Sequence, residues 1–448
     1  MTAQADAGQA ERLLRERGLA KDGNWASGPG LHTAGNGLIT AVGEPPWRPG
    51  GTCLGVDVGA TMTRMHIAAT GPDGTATVLK VQYLTGDRVE DLEWQLVEVL
   101  ALTRELGLPA VRAARFCLAG PVRRTPQGVT VTLTNRPGWS VRAADARFGS
   151  LLPGADLALC NDLTVGVRQL PGGRWSPLVC PLTGGTPRPG PAVRLKCHVG
   201  TGVNIATQDG DTVRAFEYGH HPFPAQDRAQ HRLIAALRHL HGREVITFED
   251  VLGGRALGPM LLAHAADLPE QERGGLPADT RALLAPPDAN TAVPPEGSAE
   301  LLRTVRAVDD FVCGHSVRYR ARETEGRPDV LREAYARFGG WFVAERITSA
   351  QWPVFVRLGR EWVRRFALFV LSAVQSTQCE EAYLSGRLVL DPALRPAFLT
   401  EYRRLARQFP PEAGALAEVE LYGFAEPAYE DFLVDDAAAW CAERDGAA

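Results

Sequence analysis

The stretch that decides the fold is Cys53-Leu-Gly-Val-Asp-Val-Gly-Ala-Thr-Met-Thr-Arg64. Its apolar residues read as a buried strand, yet Asp57 sits in its middle and Gly59 follows two residues later. An unpaired carboxylate stripped of water is costly, and glycine in a strand marks a tight bend or the close approach of a ligand or another backbone. A hairpin turning at Gly59-Ala60-Thr61 offers backbone N–H groups and the Thr61 hydroxyl to an anion. Asp57 is then a metal-facing carboxylate, because magnesium held through water and phosphate needs only one or two such groups. The other reading pairs Asp57 with Arg64 across the hairpin. This stretch alone leaves both open.

Outward from it, CLGVDV, TRMHIAAT and TATVLKVQYL are β-rich runs with a turn at Gly71-Pro-Asp-Gly74, the pattern of an antiparallel meander. Asp91 to Leu106 has helical spacing, and ARFCLAGPV and VTVTLTN read as further strands. Residues 1–50 are Gly-rich, with one short charged helix at Glu11 to Leu19, and form an extension before the first core strand. Residues 181–192 are a turn-rich loop, and Leu268 to Ser298 is dense in Pro, Gly and Ala, an excursion from the domain body. Trp352 to Ser376 predicts a long amphipathic helix, and EEAYLSGRLVL one more strand and turn. No internal sequence repeat is visible.

A chain of 448 residues with 45% hydrophobic content can form two or three domain-sized units. A net charge of −4 with scattered lysines and arginines has no basic stripe, which argues against nucleic acid as a partner. The N-terminus lacks a secretory h-region, and the apolar run from Phe366 to Val374 is too short to span a bilayer. These features predict a cytoplasmic protein with no membrane association. Eight single cysteines without metal-ligand spacing read as small apolar side chains.

Further motifs carry chemistry. LALCND ends a strand in Asn161-Asp162, and carboxyl ends of strands are where α/β proteins bind ligands. Asp162 is placed to accept a hydroxyl proton, or else to cap a helix from Leu163. HVGTGVNIA contains Gly200-Thr201-Gly202, a second glycine turn or a plain hairpin. FEYGHHPF supplies Glu217 and His220, and ITFEDVLGG puts Glu249 near the start of a helix. Convergent donors and acceptors of this kind suit a polyhydroxylated ligand. Singly, His220 reads as structural and Glu249 as a first-turn helix residue.

In order and joint occurrence these pieces resemble bacterial glucokinase, of the hexokinase branch of the actin-like ATPase superfamily. DVGATMTR is similar to its phosphate segment, LAGPV and LTNRPGW to its AGP and LTN-x-x-W pieces, and CNDL, GTG, EYGH and TFEDVLGG follow in the same order. The match covers about residues 52 to 258, and VFVRLGREWVRRFALFVLSAV extends it weakly to about residue 390.

The resemblance implies an α/β protein of the actin-like ATPase (ribonuclease H-like) fold, two α/β lobes around a central cleft. After the extension, residues 51–160 would form the small lobe and 161–430 the large lobe, with an excursion at about 259–350. Residues 431–448 would be a C-terminal helix returning to the small lobe. It also implies a sugar kinase using ATP and Mg2+, acting on glucose or a glucose-like sugar, with a homodimer as one assembly. Asp162 would be the general base. Asn135, Asn161, Glu217, His220 and Glu249 would hold the sugar. Asp57 would orient the metal, while Gly59, Thr61, Gly200, Thr201, Gly202 and Gly386 would meet the nucleotide.

Departures fall on the nucleotide half. His198 and Asn204 stand where the family has glycines, Arg387 replaces a glycine in YLSGRL, and Glu380 and Glu381 occupy the place of a Gly-Gly pair. The sequence therefore admits two other readings. One is a kinase of a modified acceptor such as an aminosugar or cyclitol. The other is a catalytically silent sugar-binding or regulatory protein.

Overall fold

The computed structural model describes residues 33–34, 37–38, 40–41, 51–59, 62–71, 74–85, 88–105, 107–134, 138–143, 146–164, 179–188, 192–200, 202–210, 212–266, 268–275, 347, 353–386, 388–408 and 419–424. Thr61, Asn135, Thr201 and Arg387, the helix expected at Glu11 to Leu19, the one expected at 431–448 and most of the excursion lie outside them. The described residues fall into two compact units, 33–164 and 179–424.

In the first unit, β1 (Thr33–Ala34) pairs with β2 (Gly37–Leu38), and β3 (Thr40–Ala41) edges the main sheet. There β4 (Thr52–Val58), β5 (Met62–Gly71) and β6 (Gly74–Leu84) form the antiparallel meander, and Gly71 pairs with Gly74 at the expected turn. After the helix Val89–Glu105, β7 (Val111–Leu118) returns parallel to β4. A small antiparallel sheet, β8 (Val122–Thr125), β9 (Gly128–Thr132) and β10 (Ser140–Arg142), comes next. Finally β11 (Asp156–Asn161) adds in parallel, giving the order β11–β7–β4–β5–β6–β3.

Side-chain alternation sorts the faces of this sheet. Leu54, Val56 and Val58, with Met65, Ile67, Phe116 and Leu118, join Leu92, Leu96 and Val99 of the helix in one core. The opposite face carries the odd members of β4, among them Asp57. In register beside it stand Arg64 on β5 and Cys117 on β7, and Cys117 in turn pairs with Cys160 on β11. The carboxylate of the opening stretch therefore belongs to a row of polar side chains on the face turned from the apolar core.

The second unit repeats this topology. β12 (Val179–Pro181) lies at one edge, and β13 (Arg194–Val199), β14 (Val203–Asp209) and β15 (Thr212–Phe216) form a meander. β16 (Glu381–Ser385) and β17 (Glu420–Phe424) add in parallel beyond β13, giving β12–β17–β16–β13–β14–β15. Leu195, Cys197, Val199, Ile205 and Leu384 pack toward the 25-residue helix Pro353–Thr377, in the position predicted for a long amphipathic helix. Its Phe355, Leu358, Phe366 and Phe369 are fully buried, each contributing about 1.5–3 kcal/mol. Trp362 is buried too, and its Nε1 donates to the Leu252 carbonyl at 2.9 Å. Among the described residues no helix is long and apolar enough to cross a membrane.

Glu380 and Glu381 lie at the amino end of β16, a strand away from Gly386. Buried Glu381 accepts bonds from Arg194 Nε at 3.1 Å, the Arg188 amide at 2.7 Å and the Tyr383 hydroxyl at 3.0 Å. Burial and then the Glu381 carboxylate hold the Tyr383 hydroxyl above its usual range, so it stays a donor. Glu380 forms an exposed pair with Arg188. These two departures from the family pattern brace the far end of the strand.

Candidate active site

In the first unit the chain leaves β4 at Gly59, whose carbonyl accepts a 2.8 Å bond from the buried Thr85 hydroxyl at the end of β6. That bond fixes the start of the first glycine turn from outside it. Asp57 is 3% exposed and its Oδ2 lies 3.3 Å from Arg64 Nη1. The cross-hairpin pair left open by the sequence is thus formed. At 3.3 Å the contact is long for a charge-assisted bond.

Asn161 and Asp162 stand at the carboxyl end of β11, where a 3₁₀ turn, Asp162–Thr164, begins. The buried Asn161 amide donates to the Gly120 carbonyl at 2.9 Å and accepts from Leu163 N at 2.9 Å. Asp162 Oδ1 accepts from the same Leu163 N at 3.0 Å. The bond at cap spacing is thus made by Asn161, the residue before the turn, while Asp162 is the first residue of the turn itself. Gly120, in the AGP segment, has no substitute: a Cβ there would stand 1.9 Å from the Thr132 carbonyl oxygen. This close approach holds the carbonyl that orients Asn161.

In the second unit the turn after β13 is the topological counterpart of the turn after β4. Gly200 N donates to the Gly202 carbonyl at 2.9 Å, and Gly254 N donates to the Gly200 carbonyl at 2.8 Å. His198, penultimate in β13 as Asp57 is in β4, rests against this turn. A Cβ on Gly200 would lie 2.7 Å from its Nε2, so the glycine makes room for the imidazole. Its Nδ1 lies 2.8 Å from Ser385 Oγ, which is also 3.4 Å from the Cys197 carbonyl oxygen. Gly386 follows Ser385 with φ +131°, and a Cβ there would meet the Val199 carbonyl oxygen at 2.1 Å. Gly200 and Gly386 thus meet at the carboxyl ends of neighbouring parallel strands.

Glu217, His220 and Glu249 come together around the first residues of β14. Asn204 Nδ2 donates to Glu217 Oε2 at 2.7 Å, and Gly219 N donates to Asn204 Oδ1 at 3.0 Å. His220 Nε2 lies 3.6 Å from Glu217 Oε2. Val203 N donates to Glu249 Oε2 at 3.3 Å. Bonds from Phe223 N to Ile246 O at 2.8 Å and from Phe248 N to His221 O at 3.1 Å hold the two loops side by side. Asp250 accepts from Thr247 N at 2.8 Å and Oγ1 at 2.9 Å, fixing the helix start that carries Glu249. Gly219 is obligatory, since a Cβ would stand 1.8 Å from the Val203 carbonyl oxygen. Asn204 and Gly219, which organise this cluster, were not legible as site residues; the only sequence trace was the glycine inside EYGH.

Asn204, which stands where the family pattern has a glycine, turns its side chain to Glu217 and Gly219.

Among the described residues no group of three or more His, Cys, Asp or Glu side chains forms a direct metal cage. A buried single carboxylate, Asp57, fits an ion that keeps its waters and takes its other ligands from phosphate.

Comparison with known proteins agrees with this layout. The family model described as Glucokinase matches residues 54–292. No curated protein sequence matches the chain significantly. Among solved structures, the glucokinase from Balamuthia mandrillaris in complex with glucose is 18% identical, with 98% of this chain and 99% of that one covered and a TM-score of 0.58. The Leishmania braziliensis glucokinase is 15% identical, with 96% and 97% covered and a TM-score of 0.52. A glucokinase from an Antarctic psychrotroph is 14% identical, with 87% and 98% covered and a TM-score of 0.50. The shared fold is the actin-like ATPase fold, and the chain belongs to the glucokinase family of sugar kinases.

Proposed function

We propose that this protein transfers the γ-phosphoryl group of ATP to a hydroxyl of glucose or a glucose-like sugar. The observation that carries the reading is the gathering of Glu249 and Glu217 on two consecutive residues, Val203 and Asn204, with His220 beside Glu217. A sugar offers many hydroxyls and little apolar surface, so its recognition needs directional acceptors of this kind.

In this reading Glu217, His220 and Glu249 accept and donate to the hydroxyls that do not react, with Asn161 and Asn135 adding amide contacts. Asp162 takes the proton of the attacking hydroxyl as its oxygen approaches the phosphorus. Its bond from Leu163 N fixes the carboxylate plane before substrate arrives. The turns at Gly59 and Thr61, at Gly200, Thr201 and Gly202, and at Gly386 receive the donor phosphates and nucleoside, because glycine lets the backbone come close. Asp57 would hold hydrated Mg2+, which when bound neutralises charge on the phosphates. Phosphoryl transfer of this loose type asks for positioning and charge stabilisation, plus one base on the acceptor.

The test is a coupled turnover screen of hexoses, aminosugars and cyclitols against ATP, GTP and polyphosphate, repeated with Asp162→Asn. General-base assistance contributes about 10²- to 10⁴-fold, so turnover should fall at least about 10²-fold while sugar affinity changes far less. Asn caps about as well as Asp, so a purely capping Asp162 would leave both rate and stability nearly intact. A wild type that binds sugar by calorimetry, turns over with no donor and is indifferent to Asp162→Asn would be a silent binder.

A further inference from the structure

Cys117 and Cys160 are directly opposed in the parallel pair β7–β11, and their Sγ atoms lie 3.1 Å apart. Adjacent strands run about 4.8 Å apart, inside the Cα range that a disulfide tolerates, and the bond itself needs about 2.05 Å between sulfurs. Closing the pair takes a shift of about 1 Å. Cys117 is buried, whereas Cys160 is partly exposed and receives Arg115 Nε at 3.5 Å, a cation beside the sulfur that would carry the thiolate charge. Other thiols differ: burial pushes Cys197 well above its usual range and Cys379 up to about 12, keeping both protonated and inert.

The position of the pair matters as much as its geometry. Cys117 stands in register with Asp57, and Cys160 is followed at once by Asn161 and Asp162. Any movement of β11 against β7 is handed to the strand end that carries the proposed base.

We propose that Cys117 and Cys160 form a reversible disulfide that switches the enzyme off under oxidation by hydrogen peroxide. The Cys160 thiolate attacks one oxygen of the peroxide, the O–O bond breaks, and the leaving hydroxide takes up the thiol proton as water. The resulting Cys160 sulfenic acid is attacked by the Cys117 sulfur, which forms the S–S bond and expels the hydroxyl with the Cys117 proton as a second water. Two thiols lose two electrons and one peroxide becomes two waters. A dithiol reductant reverses the change by exchange.

The effect on activity rests on the role proposed for Asp162; the disulfide does not. A misplacement of about 1 Å at a reacting centre costs on the order of 10²-fold. The experiment treats the full chain with hydrogen peroxide, maps peptides without reduction, and measures turnover before and after dithiothreitol, for wild type and Cys117→Ala. The expected result is a peptide linking Cys117 to Cys160, a fall of at least about tenfold in kcat that dithiothreitol restores, and a Cys117→Ala protein that keeps its kcat through the same treatment. Absence of the linked peptide overturns the proposal, as does linkage without loss of kcat, or an equal loss in Cys117→Ala. A protein that phosphorylates no acceptor even when reduced fails the kinase reading, while the disulfide is still decided by the linked peptide.

Discussion

Asn204→Ala separates two views of the nucleotide half. The side chain makes two bonds, one to the Glu217 carboxylate at 2.7 Å and one from the Gly219 amide at 3.0 Å. A bond to a charged group contributes about 1.5–3 kcal/mol and a neutral one about 0.5–1.5 kcal/mol. The Glu217 side chain is 29% exposed, so water replaces part of what is lost and the lower ends of both ranges apply. The sum is about 2 kcal/mol of organisation removed from the sugar cluster, or about 30-fold in sugar KM. The KM for ATP should stay nearly constant. Initial rates in a coupled assay, with sugar and ATP varied in turn, read both constants, and a thermal melt confirms that the variant is folded. Asn204→Gly, the residue expected from the family pattern, should behave in the same way. A lowered ATP KM with sugar KM within about twofold of wild type would refute the reasoning and restore Asn204 to the phosphate turn.

At Gly386 the reverse split is expected: Gly386→Ala meets both a φ of +131° and a carbonyl 2.1 Å away, so it should raise the ATP KM at least about tenfold and leave the sugar KM less changed. The same rate assay reads it, and equal effects on both constants would mean that the turn supports the whole unit and not the donor alone. For pH, His264 is held down at about 4, first by burial and then by Arg365 and Arg357. A histidine whose folded value is depressed contributes stability that is present above its unfolded value of about 6.5 and lost as pH falls toward the folded one. Urea unfolding should therefore show a loss on the order of 2 kcal/mol between pH 7 and pH 5. His264→Gln should remove most of that difference, and an unchanged slope would exclude His264 as its source.

The meander at 52–84 was legible because it is written in local terms, alternation and a Gly-Pro-Asp-Gly turn, and the strand end at Asn161-Asp162 was legible for the same reason. The repetition of one topology in both units was not. Alternation, a glycine turn and a returning parallel strand can be built from CLGVDVGATMTR or from LKCHVGTGVNIA without shared residues, so the repeat leaves no self-similarity in the sequence. The meaning of His198 and Asn204 was hidden by the same gap. Compared along the chain, they are glycines lost from a phosphate turn. Across the sheet they are register partners on the polar face of β13 and β14, with Ser385 beside His198 on β16. That row stands where Arg64, Asp57 and Cys117 stand in the first unit. Each unit thus carries a polar penultimate residue, Asp57 or His198, on the first strand before its glycine turn. In the first unit that residue has a cross-strand cation beside it; in the second it has the Ser385 hydroxyl.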